Sequence, residues 1–147
     1  MPALQTVRAE IEIDARPEKV FDVLTDLAKY PEWNPFTPSI ESTLEIGAPV
    51  RMRVRLLGAN RLSRRVEYVT ENERPSKLCW GADIPLRFLI RADRCQTLVP
   101  LEGGRTRYVC TDDISGWLAP LVIRFFGAAM QRGFEDCALA LKKRAES

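Results

Sequence analysis

Four polar residues between positions 94 and 112 of this 147-residue chain have the types needed to handle a polar organic group: Arg94, Gln96, Cys110 and Asp112. A guanidinium and an amide can hold a carbonyl, hydroxyl or carboxylate, and a carboxyl can take or give a proton. Tyr68, Tyr108 and Trp80 each add a large apolar body carrying one hydrogen-bonding group. Histidine is absent. That removes the commonest general base and zinc ligand, and any Ser-His or Cys-His pair. Sites built only from Asp, Glu or Cys remain open in principle, but neither a metal nor a cofactor is implied.

Whether those four residues share a face depends on one hairpin. The segments Phe88 to Val99 and Arg105 to Ile114 read as long strands, joined by a turn at Glu102-Gly103-Gly104. A turn centred there sets Pro100 against Thr106, Leu98 against Tyr108, Gln96 against Cys110 and Arg94 against Asp112. Leu98 and Tyr108 are the natural inward pair. Strand parity then turns Arg94, Gln96, Cys110 and Asp112 inward as well. A buried arginine is costly without a partner, so an Arg94–Asp112 ion pair is expected. The group would either orient the polar end of a ligand or stand as an idle cross-strand pair near the sheet edge. A one-residue slip would turn all four outward.

The remaining elements follow from periodicity. Thr6 to Ala15 alternates and reads as a half-buried strand. Arg16-Pro17-Glu18-Lys19 opens a helix whose apolar face holds Val20, Phe21, Leu24 and Leu27. A short second helix is expected over Asp26 to Lys29, ended by Tyr30-Pro31 and Trp33-Asn34-Pro35. Weak alternation from Ser39 to Glu45 is followed by a clean strand from Val50 to Leu56, with Met52 and Val54 inward and Arg51, Arg53 and Arg55 outward. Gly58-Ala59-Asn60 closes a hairpin. The next strand spans Leu62 to Asn72, with Val66 and Tyr68 inward. Leu78, Trp80 and Ala82 lie on the inner face of a fifth strand, broken at Asp83-Ile84-Pro85. From Trp117 to the end the pattern is helical. This predicts one α+β domain over 1–147: a curved seven-stranded antiparallel sheet around a long C-terminal helix, with two short helices after the first strand.

Composition narrows the partners. Lys+Arg number 22 against 20 Asp+Glu, too even a balance for a chain that binds phosphate backbones, so no nucleic-acid partner is expected. Arg51, Arg53 and Arg55, with Arg61, Arg64 and Arg65, form a basic patch without interleaved aromatics, which reads as a solvated sheet face. No apolar run is long enough to span a membrane, and the first residues resemble no export signal. A cytoplasmic protein is expected. The four cysteines, Cys79, Cys95, Cys110 and Cys137, lack close spacing and read as reduced core residues.

Three segments in order resemble the START-like, or SRPBCC, superfamily and its polyketide cyclase/dehydrase-like branch. They are Pro17-Glu18-Lys19-Val20-Phe21, then Tyr30-Pro31-Glu32-Trp33-Asn34-Pro35-Phe36. The third is Leu98-Val99-Pro100-Leu101 with Gly103-Gly104-Arg105-Thr106-Arg107 and Ser115-Gly116. The resemblance implies a helix-grip fold with an apolar cavity between sheet and helix, occupied by a hydrophobic small molecule. It places Trp33 and Phe36 at one wall of the mouth. Met52, Val54, Val66, Tyr68, Trp80, Phe126 and Met130 would complete the lining.

Three functions stay open: a binding protein for a lipid, polyketide or similar molecule; an aromatase/cyclase-like enzyme in which Arg94 and Tyr108 polarise a carbonyl; and an interaction module. The last rests on the segment from Trp117 to Met130, too apolar for one helix face. Its second side would meet the short helices, another subunit in a homodimer, or a membrane surface.

Overall fold

A computed structural model describes residues 4–56, 61–82 and 89–147. β1 (Gln5–Ile13) leads into α1 (Pro17–Thr25), a 3-10 turn (Leu27–Lys29) and α2 (Tyr30–Trp33). Six strands follow: β2 (Ser39–Glu41), β3 (Pro49–Val54), β4 (Ser63–Glu73), β5 (Lys77–Gly81), β6 (Arg91–Leu101) and β7 (Arg105–Ser115). The chain ends in the 28-residue α3 (Ala119–Glu146). The strands form one seven-stranded antiparallel sheet in the order β1-β7-β6-β5-β4-β3-β2. This is the helix-grip architecture that the sequence predicts. The hairpin at Gly58 to Asn60 and the break at Asp83 to Pro85 fall outside the described residues.

The β6–β7 register is the one argued from the turn: Leu98 faces Tyr108, Gln96 faces Cys110 and Arg94 faces Asp112. Gly103 and Gly104 adopt φ of 75° and 72°, a left-handed backbone that glycine enters without steric cost. Those two residues pin the turn, and the turn pins the register. Arg94, Gln96, Leu98, Tyr108 and Cys110 are all buried.

α3 lies against the inner face of the sheet. Phe134, Cys137, Ala138, Leu141 and Ala145 are buried along one stripe, at i, i+3, i+4, i+7 and i+11. Its C-terminal end lies near α1, where Lys19 Nζ donates to the carbonyl of Ser147 at 3.3 Å.

Three expectations are corrected. First, β4 is turned over. Val66 and Tyr68 are 50% and 39% exposed, whereas Glu67 is 8% exposed and Val69 is buried. The pairing forces this: Arg51 faces Val66, Val50 faces Glu67 and Met52 faces Arg65. Register partners share a face, so the inward residues of β3 bring Ser63, Arg65 and Glu67 inward with them. Burial of Val50, Met52 and Val54 outweighs that of Val66 and Tyr68.

Second, helical backbone continues past Lys29. Pro31 sits in the first turn of α2, where its missing N–H is no loss, and the Asn34 N–H donates to the Tyr30 carbonyl at 2.8 Å.

Third, Cys79 and Cys95 form a disulfide. They are separated by 16 residues in sequence but are direct register partners on β5 and β6, a proximity that sequence spacing does not reveal. Cys110 and Cys137 are free and buried, as expected.

Candidate functional site

Between the sheet and the N-terminal half of α3 lies a cavity of about 260 Å³. Its walls are mostly apolar: Met52 and Val54 from β3, Phe36 from the segment after α2, and Phe126, Met130 and Phe134 from α3. Four ionisable side chains break that surface: Arg65 and Glu67 from β4, Arg94 from β6 and Asp112 from β7.

Phe36 is held from two sides. The Asn34 Oδ1 accepts from the backbone N–H groups of Phe36 at 3.1 Å and Thr37 at 2.9 Å. This Asx-type turn directs the ring inward. There it meets Phe134 edge to face, with centroids 5.4 Å apart and planes at 85°. α3 makes room with a glycine, because a Cβ at Gly133 would collide with the Phe36 ring.

Arg94 is caged. Its guanidinium carbon lies 4.7 Å from the centroid of Phe134, 5.8 Å from that of Trp80 and 5.9 Å from that of Phe36. Such ring faces attract a desolvated cation. Its Nε–H donates to Cys110 Sγ at 3.4 Å. The expected ion pair with Asp112 does not form: among the described residues no carboxylate oxygen lies within 4.0 Å of the Arg94 guanidinium. Side chains opposite one another across a ladder can diverge, and here the aromatic cage draws the guanidinium away from β7's carboxylate.

Asp112 Oδ1 is shielded from solvent and has no hydrogen-bond partner among the described residues. Burial, with Glu67 nearby, pushes the Asp112 carboxyl up to about 7 against the opposing pull of Arg94. Burial also raises Glu67, opposed by Arg65, whose Nε lies 3.6 Å from Glu67 Oε2, and by Arg94. Burial likewise lifts the Cys137 thiol to about 11, so Cys137 is an uncharged neighbour of Arg94. Near neutral pH the polar end of the cavity thus presents a fixed cation and an acid poised to gain or lose a proton.

The structure distributes the fourteen sequence-derived residues unequally. Phe36, Met52, Val54, Arg94, Asp112, Phe126 and Met130 line the cavity. Trp80, Gln96, Tyr108 and Cys110 are on the inner face but sit behind that wall: the Tyr108 O–H donates to Gln96 Oε1 at 2.7 Å, and Cys110 supports Arg94. Trp33 packs on Tyr30 at 5.0 Å, away from the cavity. Val66 and Tyr68 point outward. Sequence reasoning missed Arg65 and Glu67. The signal was present in the unbroken Arg51/Arg53/Arg55 alternation, which fixes the β3 faces and, through pairing, those of β4.

The apolar residues at the start of the C-terminal helix divide between two sides. Val122 and Phe126 face the cavity, while Trp117, Leu121 and Phe125 are exposed, Phe125 by 68%. No helix among the described residues is long and apolar enough to cross a membrane.

A curved antiparallel sheet gripping a long helix around a lined cavity defines the START-like class. The chain belongs to the polyketide cyclase / dehydrase and lipid transport family, whose model matches residues 5–146. Its fold is shared with the ZhuI aromatase/cyclase from Streptomyces sp. R1128, at 17% identity and a TM-score of 0.77 over 98% of this chain and 94% of that one. A START superfamily protein from Mycobacterium smegmatis matches at 19% identity and a TM-score of 0.70, over 96% and 97% of the two chains. Norcoclaurine synthase from Thalictrum flavum, solved with dopamine and hydroxybenzaldehyde, matches at 11% identity and a TM-score of 0.72, over 97% and 87%. No curated protein matches the sequence at a significant level.

Proposed function

We propose that this protein binds a compact hydrophobic molecule with one polar end, and that Arg94 and Asp112 receive that end. The observation that carries the reading is a shielded Asp112 carboxyl oxygen with no hydrogen-bond partner among the described residues, beside the caged Arg94 guanidinium on one apolar cavity wall. Buried polar groups left unsatisfied are costly, and a ligand that supplies the missing partner recovers that cost. With Asp112 protonated, the pair can donate to a carbonyl or carboxylate; with Asp112 ionised, it accepts from a hydroxyl. The volume, about 260 Å³, sits just below the range of roughly 300–1,000 Å³ usual for ligand pockets. It suits a small ring system or short chain better than a two-chain lipid.

A second reading is favoured by Asp112 itself. A carboxyl that exchanges its proton near pH 7 inside a cavity is suited to general acid–base catalysis. An aromatase/cyclase-like enzyme would use Arg94 to polarise a carbonyl and Asp112 to move the proton, with Tyr108 supporting Gln96 from behind. The interaction reading, with its possible homodimer, rests on exposed Trp117, Leu121 and Phe125.

Titration with a panel of aromatic ketones and carboxylates, followed by tryptophan fluorescence, tests the binding reading. Val54→Phe fills the cavity from β3 and should abolish saturable binding while leaving the far-ultraviolet circular dichroism unchanged. Equal binding by wild type and Val54→Phe would reject the cavity as the site.

A further inference from the structure

We infer that the outer face of the sheet carries a redox-gated site for one thiophilic divalent cation, made by Cys79, Cys95 and Glu71. This face is opposite to the cavity, and the site is independent of the ligand proposed above.

The placement of Glu71 is the first observation. Val69 faces inward and pairs with Trp80, so simple alternation along β4 would turn Glu71 inward too. Instead the β4–β5 register shifts between Val69 and Glu71, and Glu71 becomes the partner of Cys79. One extra residue, Thr70, moves a carboxylate from the inner face to the outer one. A β-bulge of this kind re-aims a side chain at the expense of ladder regularity.

The second observation is the row that results. Glu71, Cys79 and Cys95 lie side by side on β4, β5 and β6, and one ligand atom from each falls within 4.8 Å of the other two. Cys79 is 1% exposed, while Cys95 and Glu71 are half-buried, so the row runs from a buried sulfur to partly open flanks. Two thiolates and one carboxylate make a soft donor set, and three protein ligands leave a fourth tetrahedral position for water. Lys77 Nζ now neutralises Glu71 at 3.0 Å. At Zn–S of about 2.3 Å and Zn–O of about 2.0–2.2 Å, rotation of Glu71 away from Lys77 completes the set.

The same two sulfurs form the disulfide, so the two states exclude each other. A thiol reductant opens it: the S–S bond takes two electrons and two protons, and the two reductant sulfurs leave joined as their own disulfide. The cation then binds as both thiols lose their protons. A disulfide-class oxidant reverses the sequence. It takes the two electrons, the ion is released, and Cys79 and Cys95 rejoin.

Cadmium titration of the folded, reduced protein tests this, read by the ultraviolet thiolate-to-metal charge-transfer band, with zinc as competitor. The expected result is one cadmium per reduced chain, displaced by zinc, and none on the oxidised chain. Cys79→Ser should abolish the band despite the remaining Cys110 and Cys137. Glu71→Gln should weaken binding by at least about tenfold, the lower end of what loss of even an outer-sphere partner costs. Where Cys79→Ser fails to fold, Cys95→Ser gives the same reading. Absence of the band in reduced wild type, or wild-type binding by a folded cysteine variant, would overturn the site. Wild-type affinity in Glu71→Gln would overturn the role of the bulge.

Discussion

Arg94 and Asp112 are register partners on β6 and β7, yet the Arg94 guanidinium turns to the Cys110 thiol and three aromatic rings rather than to the Asp112 carboxylate. The divergence leaves a cation and a carboxyl side by side on a cavity wall without mutual neutralisation. Had they paired, the site would be a closed structural ion pair. On the proposed reading, their separation leaves the inner end of the cavity free to receive a third group.

Stability should fall as pH rises from about 4 to about 7. Asp112 is held up at about 7 by burial, well above its value in the unfolded chain, and Glu67 is displaced in the same direction. Between the two values the folded state holds more protons than the unfolded one, so the slope of unfolding free energy with pH is negative there. Asp112→Asn should flatten the slope and raise stability at pH 8 by about 1–2 kcal/mol. Urea melts at pH 5 and pH 8 check both; a wild-type protein more stable at pH 8 would contradict this assignment.

Arg94→Met should separate ligand recognition from folding. A methionine fills much of the same aromatic cage without a charge, and it removes the desolvation cost of burying one. Loss of a charged hydrogen bond to the ligand costs about 1.5–3 kcal/mol, or roughly 10- to 150-fold in affinity. Binding of an aromatic carboxylate should weaken by that factor at unchanged or higher melting temperature. A large fall in stability with unaltered affinity would make Arg94 structural.

Gly133→Ala sets two effects against each other. Alanine gains about 0.8–1.0 kcal/mol of helix propensity over glycine. The new methyl collides with the Phe36 ring, and overpacking of this kind costs typically about 1–3 kcal/mol. The collision should win, giving net destabilisation and weaker ligand binding as Phe36 moves. A stabilised variant with intact binding would show that the ring shifts freely.

Tyr108→Phe should act on stability alone. It strands the buried Gln96 Oε1, which now accepts from the Tyr108 hydroxyl at 2.7 Å. The loss should be about 1–3 kcal/mol, measured by denaturant unfolding, with affinity unchanged because Tyr108 stands behind the cavity wall. A selective loss of affinity would move Tyr108 into the site.

Legibility in the sequence followed the local strength of each signal. Two adjacent glycines marked the β6–β7 turn, and the positions of Arg94 and Asp112 followed from parity once that turn set the register. β4 carried opposed signals: Val66 and Tyr68 argued for one face, and pairing with β3 put Arg65 and Glu67 on it instead. A single strand read alone favours its apolar residues; a sheet decides by its neighbours. The Cys79–Cys95 bond and the re-aimed Glu71 were invisible because both depend on which strands lie side by side and on one inserted residue. The missing Arg94–Asp112 ion pair depended on three rings from separate elements converging on one guanidinium.

Native mass spectrometry of wild type, Arg94→Met and Val54→Phe, each offered the same aromatic carboxylates and ketones, tests the central claim most directly. The account predicts one ligand per wild-type chain, weakened retention by Arg94→Met and none by Val54→Phe. A wild-type chain that takes up none of them, or three proteins that retain them equally, would contradict it.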